Sequence, residues 1–145
     1  MAYQHILVPI DGSETSFLAV QQAAEFAKAF GSKVTVVEVL LLDPYIADEY
    51  IRTGKSNSLI ERAREYLVKN LQQAKAKFAK AGLDVETKLL EGESVKDQIV
   101  QGAQDLQVDL IVIGSHGRSG LKKFILGSVA QGVLNETSLP VLVVR

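Results

Sequence analysis

The 145-residue sequence contains no cysteine, and this absence excludes several kinds of chemistry. Disulfides, thiolate nucleophiles and cysteine metal sites are ruled out, and a cysteine-free chain fits a reducing compartment. Without cysteine partners the two histidines, His5 and His116, make a poor zinc set. Stability therefore has to come from an apolar core, for which 47% hydrophobic residues are sufficient.

A strong excess of charge and a long apolar run are also missing. The formal net charge is −1, so no global basic field attracts nucleic acid. The first apolar stretch is only as long as a strand before it meets Asp11, and no signal peptide is evident. No apolar run approaches the length of a membrane span. We expect a cytoplasmic protein of one domain, residues 1–145, with no nucleic-acid partner and no membrane insertion.

Apolar segments of strand length alternate with helical patterns. Strands are predicted at residues 6–10, 33–42, 85–89, 108–113 and 141–144. Helices are predicted at residues 14–30, 58–81 and 128–136, and after Ser94. The residues that begin or end these helices are Ser13, Ser58, Ser94, Gly31 and Gly82. Residues 43–57 are interpreted as a loop or a short helix.

The βαβαβαβαβ order predicts an α/β fold, an open five-stranded parallel sheet with helices on both faces. Strands one, two and four are nearly all apolar, which indicates central positions. In the third strand Val85, Thr87 and Leu89 alternate with charged residues, as in a strand with one exposed face. Ligands of such sheets bind beyond the carboxyl ends of the strands, where the winding reverses. Asp11 follows strand one and Gly114 follows strand four, so both line one crevice if these strands are neighbours.

Several familiar site motifs are absent. The sequence has no Gly-x4-Gly-Lys-Ser/Thr loop, and the turn at residues 11–15 lacks the Gly-x-Gly-x-x-Gly dinucleotide fingerprint. Neither a Gly-x-Ser-x-Gly elbow nor a His-Glu-x-x-His helix occurs. A phosphate site in this chain therefore has to be built in another way.

The most informative motif is a glycine-rich loop at residues 114–128, GSHGRSGLKKFILGS, which lies between an apolar strand and a helix. Glycines let backbone N–H groups approach a ligand closely, and a helix N-terminus favours negative charge. A polyphosphate is therefore the predicted guest. The alternative is a structural turn that needs glycine only for its backbone shape.

This loop resembles the signature of a known family. The nucleotide-binding branch of the universal stress protein family carries Gly-x2-Gly-x9-Gly-Ser/Thr, which this chain matches at Gly114, Gly117, Gly127 and Ser128. The resemblance includes the Pro-Ile-Asp turn after strand one and covers essentially the whole chain. It implies a five-stranded, Rossmann-like sheet of the adenine nucleotide alpha hydrolase kind, binding of ATP, and homodimerisation. The family often carries histidine at the position of Glu38.

The resemblance also implies roles for individual residues. Asp11 would accept hydrogen bonds from ribose hydroxyls or help to hold phosphates bound to Mg²⁺. Val39, near the end of strand two, would bind adenine through its backbone, and Gly114 would lie beside the ribose. The other residues implied to form the nucleotide site are Pro9, Ile10, Gly117, Arg118, Gly127, Ser128 and Val129.

Three of these side chains have more than one interpretation. Asp11 is either a ligand residue or a turn residue bonded to its own backbone. Ser128 binds phosphate, caps the last helix, or does both. Arg118 either screens polyphosphate charge or belongs to solvated surface. His116 is not assigned as a general base, because no partner that orients it is evident in the sequence.

The last strand has a separate role. Four apolar residues precede the terminal arginine, namely Val141, Leu142, Val143 and Val144. At a sheet edge the backbone groups of this strand need pairing, which a two-fold partner strand supplies while it buries the side chains. We therefore predict a homodimer joined through these four residues.

Three hypotheses of function remain. The leading one is an ATP-binding regulator in the stress response, whose nucleotide occupancy selects between states with different protein partners. The second is weak ATP hydrolysis or self-phosphorylation, for which Asp11 and Ser128 supply only fragments of a site. The third is a nucleotide-independent dimeric interaction module with a structural glycine loop. Valine at Gly117 or Gly127 separates these hypotheses, because valine crowds phosphate and strains any position with positive φ.

Overall fold

The computed structural model of the chain describes residues 3–42, 52–54, 58–117 and 126–145. The strands of its five-stranded sheet are β1 (His5–Pro9), β2 (Lys33–Leu41), β3 (Glu86–Gly92), β4 (Leu110–Gly114) and β5 (Val141–Val144). All strand pairs are parallel, and the order across the sheet is β3-β2-β1-β4-β5. The predicted α/β fold is confirmed. The interpretation of residues 43–57 lies outside the described residues, except at residues 52–54.

The helices that connect these strands are α1 (Glu14–Phe30), α2 (Ser58–Lys80), α3 (Val95–Asp105) and α4 (Ser128–Glu136). Two predicted caps are confirmed, since the Ser13 side chain accepts a hydrogen bond from Ser16 N–H and the Ser94 side chain accepts one from Asp97 N–H. α1 ends at Gly31, whose φ of 68° is left-handed. None of the helices in the described part of the chain has both the length and the apolar character of a bilayer-spanning segment.

The last helix begins differently from the sequence prediction. Gly127 occupies the cap position of α4 and makes no side-chain capping hydrogen bond. The interpretation of Ser128 as the cap residue is therefore wrong, because Ser128 is the first residue of the helix. The backbone N–H groups of Ser128, Val129 and Ala130 lie in the first turn, where an α-helix offers them no internal acceptor.

Each face of the sheet has its own apolar core. The core under α1 and α2 includes Ile6, Val8, Val36, Ala74 and Phe78. The core under α3 and α4 includes Leu7, Val37, Ile99, Ile111 and Val133. Neighbouring residues of β1 therefore point to opposite faces, and Ile6, Leu7 and Val8 are all completely buried. This burial on both sides confirms the predicted central position of the first strand.

The prediction for the third strand is only partly right. Leu89 is half-buried as expected, but Val85 is buried just before β3 begins, and Thr87 is exposed. β3 lies at an edge of the sheet, next to β2 alone. An edge strand is covered less completely than a central one, so a regular alternation of buried and exposed residues is not required there.

Asp109 joins the starts of two neighbouring strands. Its carboxylate accepts hydrogen bonds from the backbone N–H groups of Gln4 (2.9 Å) and His5 (3.0 Å). Burial opposes ionisation of this carboxyl, but the two N–H groups hold its pKa below the ordinary value. Because the folded-state pKa is depressed, the stabilisation is present above the unfolded-state pKa of about 3.9 and is lost as pH falls through the folded-state pKa.

We expect Asp109→Ala to lower the free energy of unfolding by about 1 kcal/mol at neutral pH, because two backbone donors lose their acceptor. The difference from the unsubstituted protein should shrink as pH falls from about 4 through the lowered folded-state pKa, where the carboxylate of the folded protein becomes protonated. Urea unfolding at neutral and acidic pH measures both effects. Asp105→Ala is the control, since Asp105 accepts its hydrogen bond from Gln101 within a single helix. An Asp109→Ala difference that is equally large in acid would contradict this account.

Candidate functional site

The predicted neighbours β1 and β4 do lie side by side. Ile6 pairs with Leu110 and Leu7 with Ile111, and both strands run in the same direction. The chain continues from β1 to β2 on one side and from β4 to β5 on the other, so the winding reverses between β1 and β4. Ligands of open parallel sheets bind at this kind of reversal, beyond the carboxyl ends of the strands.

A cavity of about 300 Å³ opens at this edge. The predicted site residues that line it are Pro9, Ile10, Asp11, Gly114, Gly117, Gly127, Ser128 and Val129. Its volume is at the lower end of the range for small-molecule sites. The fold thus brings together predicted residues that are up to about 120 positions apart in the chain.

The same cavity has a wall that sequence reasoning missed. Val95 and Ile99 of α3 line it, and so do Ser16 of α1 and Ile113 of β4. Val95 and Ile99 are one helical turn apart, at the start of a helix that follows a strand of the same sheet. The sequence therefore contained a signal for this wall, because a helix that follows a strand of a parallel sheet begins at the carboxyl edge of that sheet. These apolar side chains provide a surface against which a flat ring can pack.

The position of Asp11 fits both interpretations given from the sequence. Its Oδ1 accepts a hydrogen bond from the Ser13 N–H at 2.9 Å, which is the turn interaction. Its Oδ2 points at Gly117, so closely that a Cβ atom on residue 117 would overlap it. The carboxylate thus closes a turn with one oxygen and faces the glycine loop with the other.

The loop glycines are required by space and not by backbone angle. A Cβ atom on Gly127 would lie 2.9 Å from His116 Cα and 3.0 Å from the Ser115 carbonyl oxygen. The φ of Gly127 is −64°, and Gly117 is not among the described glycines with positive φ. The strain expected of valine at a position with positive φ therefore does not arise at either residue. Close approach of neighbouring atoms is what excludes a side chain.

Gly114 illustrates the structural alternative. A Cβ atom there would lie 3.0 Å from Thr15 Cγ2 and 3.2 Å from the Thr15 carbonyl carbon and oxygen. These are atoms of α1, so the missing side chain lets the first turn of α1 pack against the end of β4. Gly114 lines the cavity, but the fold alone is a sufficient reason for glycine at this position.

His116 is held in place by two hydroxyl groups. Its Nε2 lies 3.2 Å from Thr15 Oγ1, and its Nδ1 lies 3.0 Å from Ser115 Oγ. Both hydroxyl residues are buried, with 7% of Thr15 and 4% of Ser115 exposed. The expectation that no partner orients His116 is therefore wrong. Because hydroxyls both donate and accept, this arrangement suits either tautomer of the ring.

Val39 and Arg118 are the two predicted site residues that the described cavity does not include. Val39 packs its side chain against the core under α3 and α4. Its backbone is placed differently: the Val37 carbonyl accepts from Ile10 N–H, and alternate residues of a strand turn their backbone groups to the same neighbour. The backbone groups of Val39 therefore face the β1 side, beyond Pro9, where β1 has ended. Arg118 lies outside the described residues.

Asp11 is the one carboxylate among the described residues that line the cavity. In the same ranges of the chain, no group of three or more His, Cys, Asp or Glu side chains is placed to hold a metal ion. This donor set does not suit a cage made only of protein ligands. It does fit Mg²⁺, which proteins commonly bind through one or two carboxylates together with the phosphates of a substrate.

The sequence matches the Universal stress protein family over residues 2–145, which is nearly its whole length. Universal stress protein MJ0531 of Methanocaldococcus jannaschii is 33% identical over 143 residues, which are 99% of this chain and 82% of that protein. The solved structure of MJ0577 from the same organism is similar with a TM-score of 0.82 and 30% identity, and covers 99% of this chain and 96% of that chain.

Two other similar structures contain a nucleotide. One is a universal stress protein from Archaeoglobus fulgidus in complex with dAMP, with a TM-score of 0.72, 26% identity and full coverage of both chains. The other is a universal stress protein in complex with cAMP, with a TM-score of 0.71, 27% identity, and coverage of 100% of this chain and 98% of that chain. Sequence match, relatives and fold agree, and this chain belongs to the universal stress protein family.

Proposed function

We propose that this chain binds an adenine nucleotide, ATP with Mg²⁺, in the cavity between β1 and β4, and acts as a nucleotide-dependent regulator in the stress response. The observation that carries the proposal is the cavity wall, which combines the Asp11 carboxylate with the first turn of α4. A carboxylate suits ribose hydroxyls or a phosphate-bound metal, and N–H groups at a helix N-terminus suit phosphate. The dAMP and cAMP complexes of two relatives support the same class of ligand.

The nucleoside part of the ligand is assigned to the β1 side of the cavity. Asp11 accepts hydrogen bonds from the ribose hydroxyls or holds Mg²⁺-bound phosphates, and Pro9 and Ile10 lie against the nucleoside. The backbone of Val39, which faces the space beyond β1, binds adenine. Gly114 lies beside the ribose.

The phosphates are assigned to the glycine loop and α4. Gly117 and Gly127 let the backbone approach the phosphate oxygens, and the N–H groups of Ser128 and Val129 donate to them. Arg118, which the sequence includes in this loop, contributes positive charge. In this arrangement the chemistry that Mg²⁺ supplies is neutralisation of phosphate charge.

Thermal unfolding with added nucleotide tests this function. A ligand that binds only the folded state stabilises it by about 1.4 kcal/mol at ten times its Kd, which raises Tm by several degrees. We expect Mg-ATP to raise the Tm of nucleotide-stripped protein. Mg²⁺ alone and Mg-tripolyphosphate are the controls for metal and anion effects. A Tm that responds to tripolyphosphate as strongly as to ATP would show an anion site without recognition of the nucleoside.

Regulation would follow from the difference in affinity between two states of the protein. A ligand shifts such an equilibrium only as far as its affinities for the two states differ. ATP-bound and empty protein would then present different surfaces to protein partners in the cytoplasm, a location that the cysteine-free composition supports.

Slow ATP hydrolysis or self-phosphorylation is a second candidate function, favoured by one observation. His116 lines the cavity, and both of its ring nitrogens are held by hydroxyls, as in an oriented general base. Burst and steady-state phosphate release, compared with Asp11→Ala and His116→Asn proteins, tests this function. Release that neither substitution changes would come from a contaminating enzyme.

We propose further that the protein is a homodimer joined through β5. β5 lies at the edge of the sheet, and all of its residues are half-buried in the single chain: Val141, Leu142, Val143 and Val144. The carbonyls of Pro140 and Val144 accept hydrogen bonds from β4 and from the residue after it. Because alternate residues face alternate sides, the backbone groups of Val141 and Val143 face the open edge and are free to pair with a partner strand.

Val143→Pro is expected to weaken the dimer by at least about tenfold, because it removes an outward-facing N–H group from the proposed interface. Proline is tolerated at a sheet edge where the lost N–H faces outward, so the fold should survive. Size-exclusion chromatography with light scattering measures the change. Val143→Ala is the matched control, since it trims the side chain and keeps the N–H group. A Val143→Pro protein that stays dimeric to the same dilution would contradict pairing through β5.

A further inference from the structure

The turn at Gly12, directly after Asp11, contacts polar side chains of α2, which covers the face of the sheet opposite to α3 and α4. Gly12 has a φ of 82°, and a Cβ atom on it would lie 2.6 Å from Asn70 Nδ2 and 3.0 Å from the Tyr66 hydroxyl oxygen. Asn70 and Tyr66 both belong to α2, which packs on the face away from α3 and α4. The backbone at Gly12 is therefore in direct contact with α2.

Asn70 is in turn held by a buried carboxyl group. Its Nδ2 donates a hydrogen bond to Glu38 Oε2 at 3.1 Å. Both residues are nearly inaccessible, with 5% of Asn70 and 4% of Glu38 exposed. Glu38 follows Val37 in β2, whose side chain belongs to the core under α3 and α4, so the Glu38 side chain points to the α2 face. A buried hydrogen bond of this kind fixes the direction of the Asn70 amide.

Neither Asn70 nor Glu38 is among the described residues that line the cavity, yet the contact leads directly to it. Asp11 precedes Gly12, and its Oδ1 accepts from the N–H of Ser13, the residue after Gly12. The conformation of Gly12 therefore decides where the Asp11 carboxylate points. Glycine has more accessible backbone conformations than any other residue, so a glycine turn keeps one geometry only when its surroundings hold it.

We propose that Asn70 and Glu38 are positioning residues, which hold the turn at Gly12 from the far side of the sheet and so aim the Asp11 carboxylate at the nucleotide cavity. The inference rests on the proposed nucleotide function for its effect on binding. When the Asn70 amide is lost, the turn adopts other conformations, and the apparent affinity falls in proportion to the fraction of protein that keeps the competent one. The expected loss is about tenfold.

Calorimetry of Mg-ATP binding to Asn70→Leu protein tests the inference, because leucine has a similar size and cannot donate to Glu38. Glu38→Gln is the conservative variant: its side-chain oxygen still accepts from Asn70, so its affinity should stay within about twofold of the unsubstituted protein. Leu71→Ala is the matched control for lost stability. Leu71 is equally buried, 5% exposed, and next to Asn70 in α2, but it packs in the apolar core. Its affinity for Mg-ATP should be unchanged.

A double-mutant cycle separates positioning through Asp11 from a general structural effect. In an Asp11→Ala background, Asn70→Leu should cause no further loss of affinity, because the carboxylate that it positions is already gone. Independent losses that multiply in the double variant would overturn the inference. Equal affinity of Asn70→Leu and the unsubstituted protein would also overturn it. If Asn70→Leu does not fold, Asn70→Ala takes its place in the cycle.

The amide NMR signal of Ser13 reports on the same turn without any ligand, since this N–H donates to Asp11. We expect Asn70→Leu to move the signals of Gly12 and Ser13, and Leu71→Ala to leave them in place. If the unsubstituted protein binds no Mg-ATP, the proposed function has failed, and this spectrum alone decides whether α2 holds the turn. Unmoved signals in Asn70→Leu protein would then overturn the inference.

Discussion

Gly117→Val is expected to weaken Mg-ATP binding by at least about 100-fold, or about 2.8 kcal/mol, while the protein still folds. The reason is local crowding. Any side chain at residue 117 overlaps Asp11 Oδ2, so the carboxylate must turn away from the cavity that it lines. The valine methyl groups also occupy the space into which the proposed phosphates fit. The atom displaced belongs to a side chain and not to the backbone, and the fold should therefore be retained.

Two other glycine substitutions serve as comparisons for Gly117→Val. Gly31→Ala is the control, because Gly31 has a left-handed φ of 68° at the end of α1 and no atom of the described residues lies near the position of an added Cβ. Alanine there should lower stability by about 1 kcal/mol without affecting binding. Gly127→Val should abolish binding too, but its side chain meets the backbone of His116 and Ser115 and will also destabilise the fold. Calorimetry and thermal unfolding of the three proteins distinguish these cases. Unchanged binding in Gly117→Val would favour the structural interpretation of the loop.

Asp11→Asn is expected to weaken Mg-ATP binding by roughly 10- to 100-fold, because hydrogen bonds that involve a charged group are worth about 1.5–3 kcal/mol. Asparagine keeps a side-chain oxygen that can accept from Ser13 N–H, so the turn should persist. The substitution therefore removes the charge that faces the glycine loop and preserves the structural role. Calorimetry at several Mg²⁺ concentrations measures the loss.

The Mg²⁺ dependence distinguishes the two roles left open for Asp11. If the carboxylate helps to hold the metal, the loss in Asp11→Asn protein should be large with Mg²⁺ and small without it. If the carboxylate binds the ribose, the loss should be similar in both conditions, and 2′-deoxy-ATP should lose affinity only with the unsubstituted protein. Full affinity of Asp11→Asn in all conditions would contradict both roles.

Much of the fold and half of the cavity could be predicted because the signals are local. Ser13 and Ser94 cap the helices that they were expected to cap, and the apolar first strand is buried on both faces. The neighbouring positions of β1 and β4 follow from the rule for parallel sheets, and they bring Asp11 to the glycine loop. Each of these predictions depends on a short pattern or on chain order.

The remaining features depend on contacts between distant elements. Val95 and Ile99 look like the apolar face of any helix, and only the packed structure shows that the cavity takes part of that face. His116 gains its partner Thr15 from a helix at the other end of the chain. The pair of Glu38 and Asn70 is invisible in the sequence, because each is a polar residue in an otherwise ordinary strand or helix. Side-chain packing across the sheet decides all three.

The most direct test of the account is to purify the protein under native conditions, denature it, and identify any released nucleotide by mass spectrometry, followed by Mg-ATP calorimetry on the stripped protein. We expect released ATP, or Mg-ATP binding to the stripped protein that is lost in Gly117→Val. A protein that releases no nucleotide and gives no heat of binding with Mg-ATP would contradict the nucleotide site and favour the hypothesis of a nucleotide-independent interaction module.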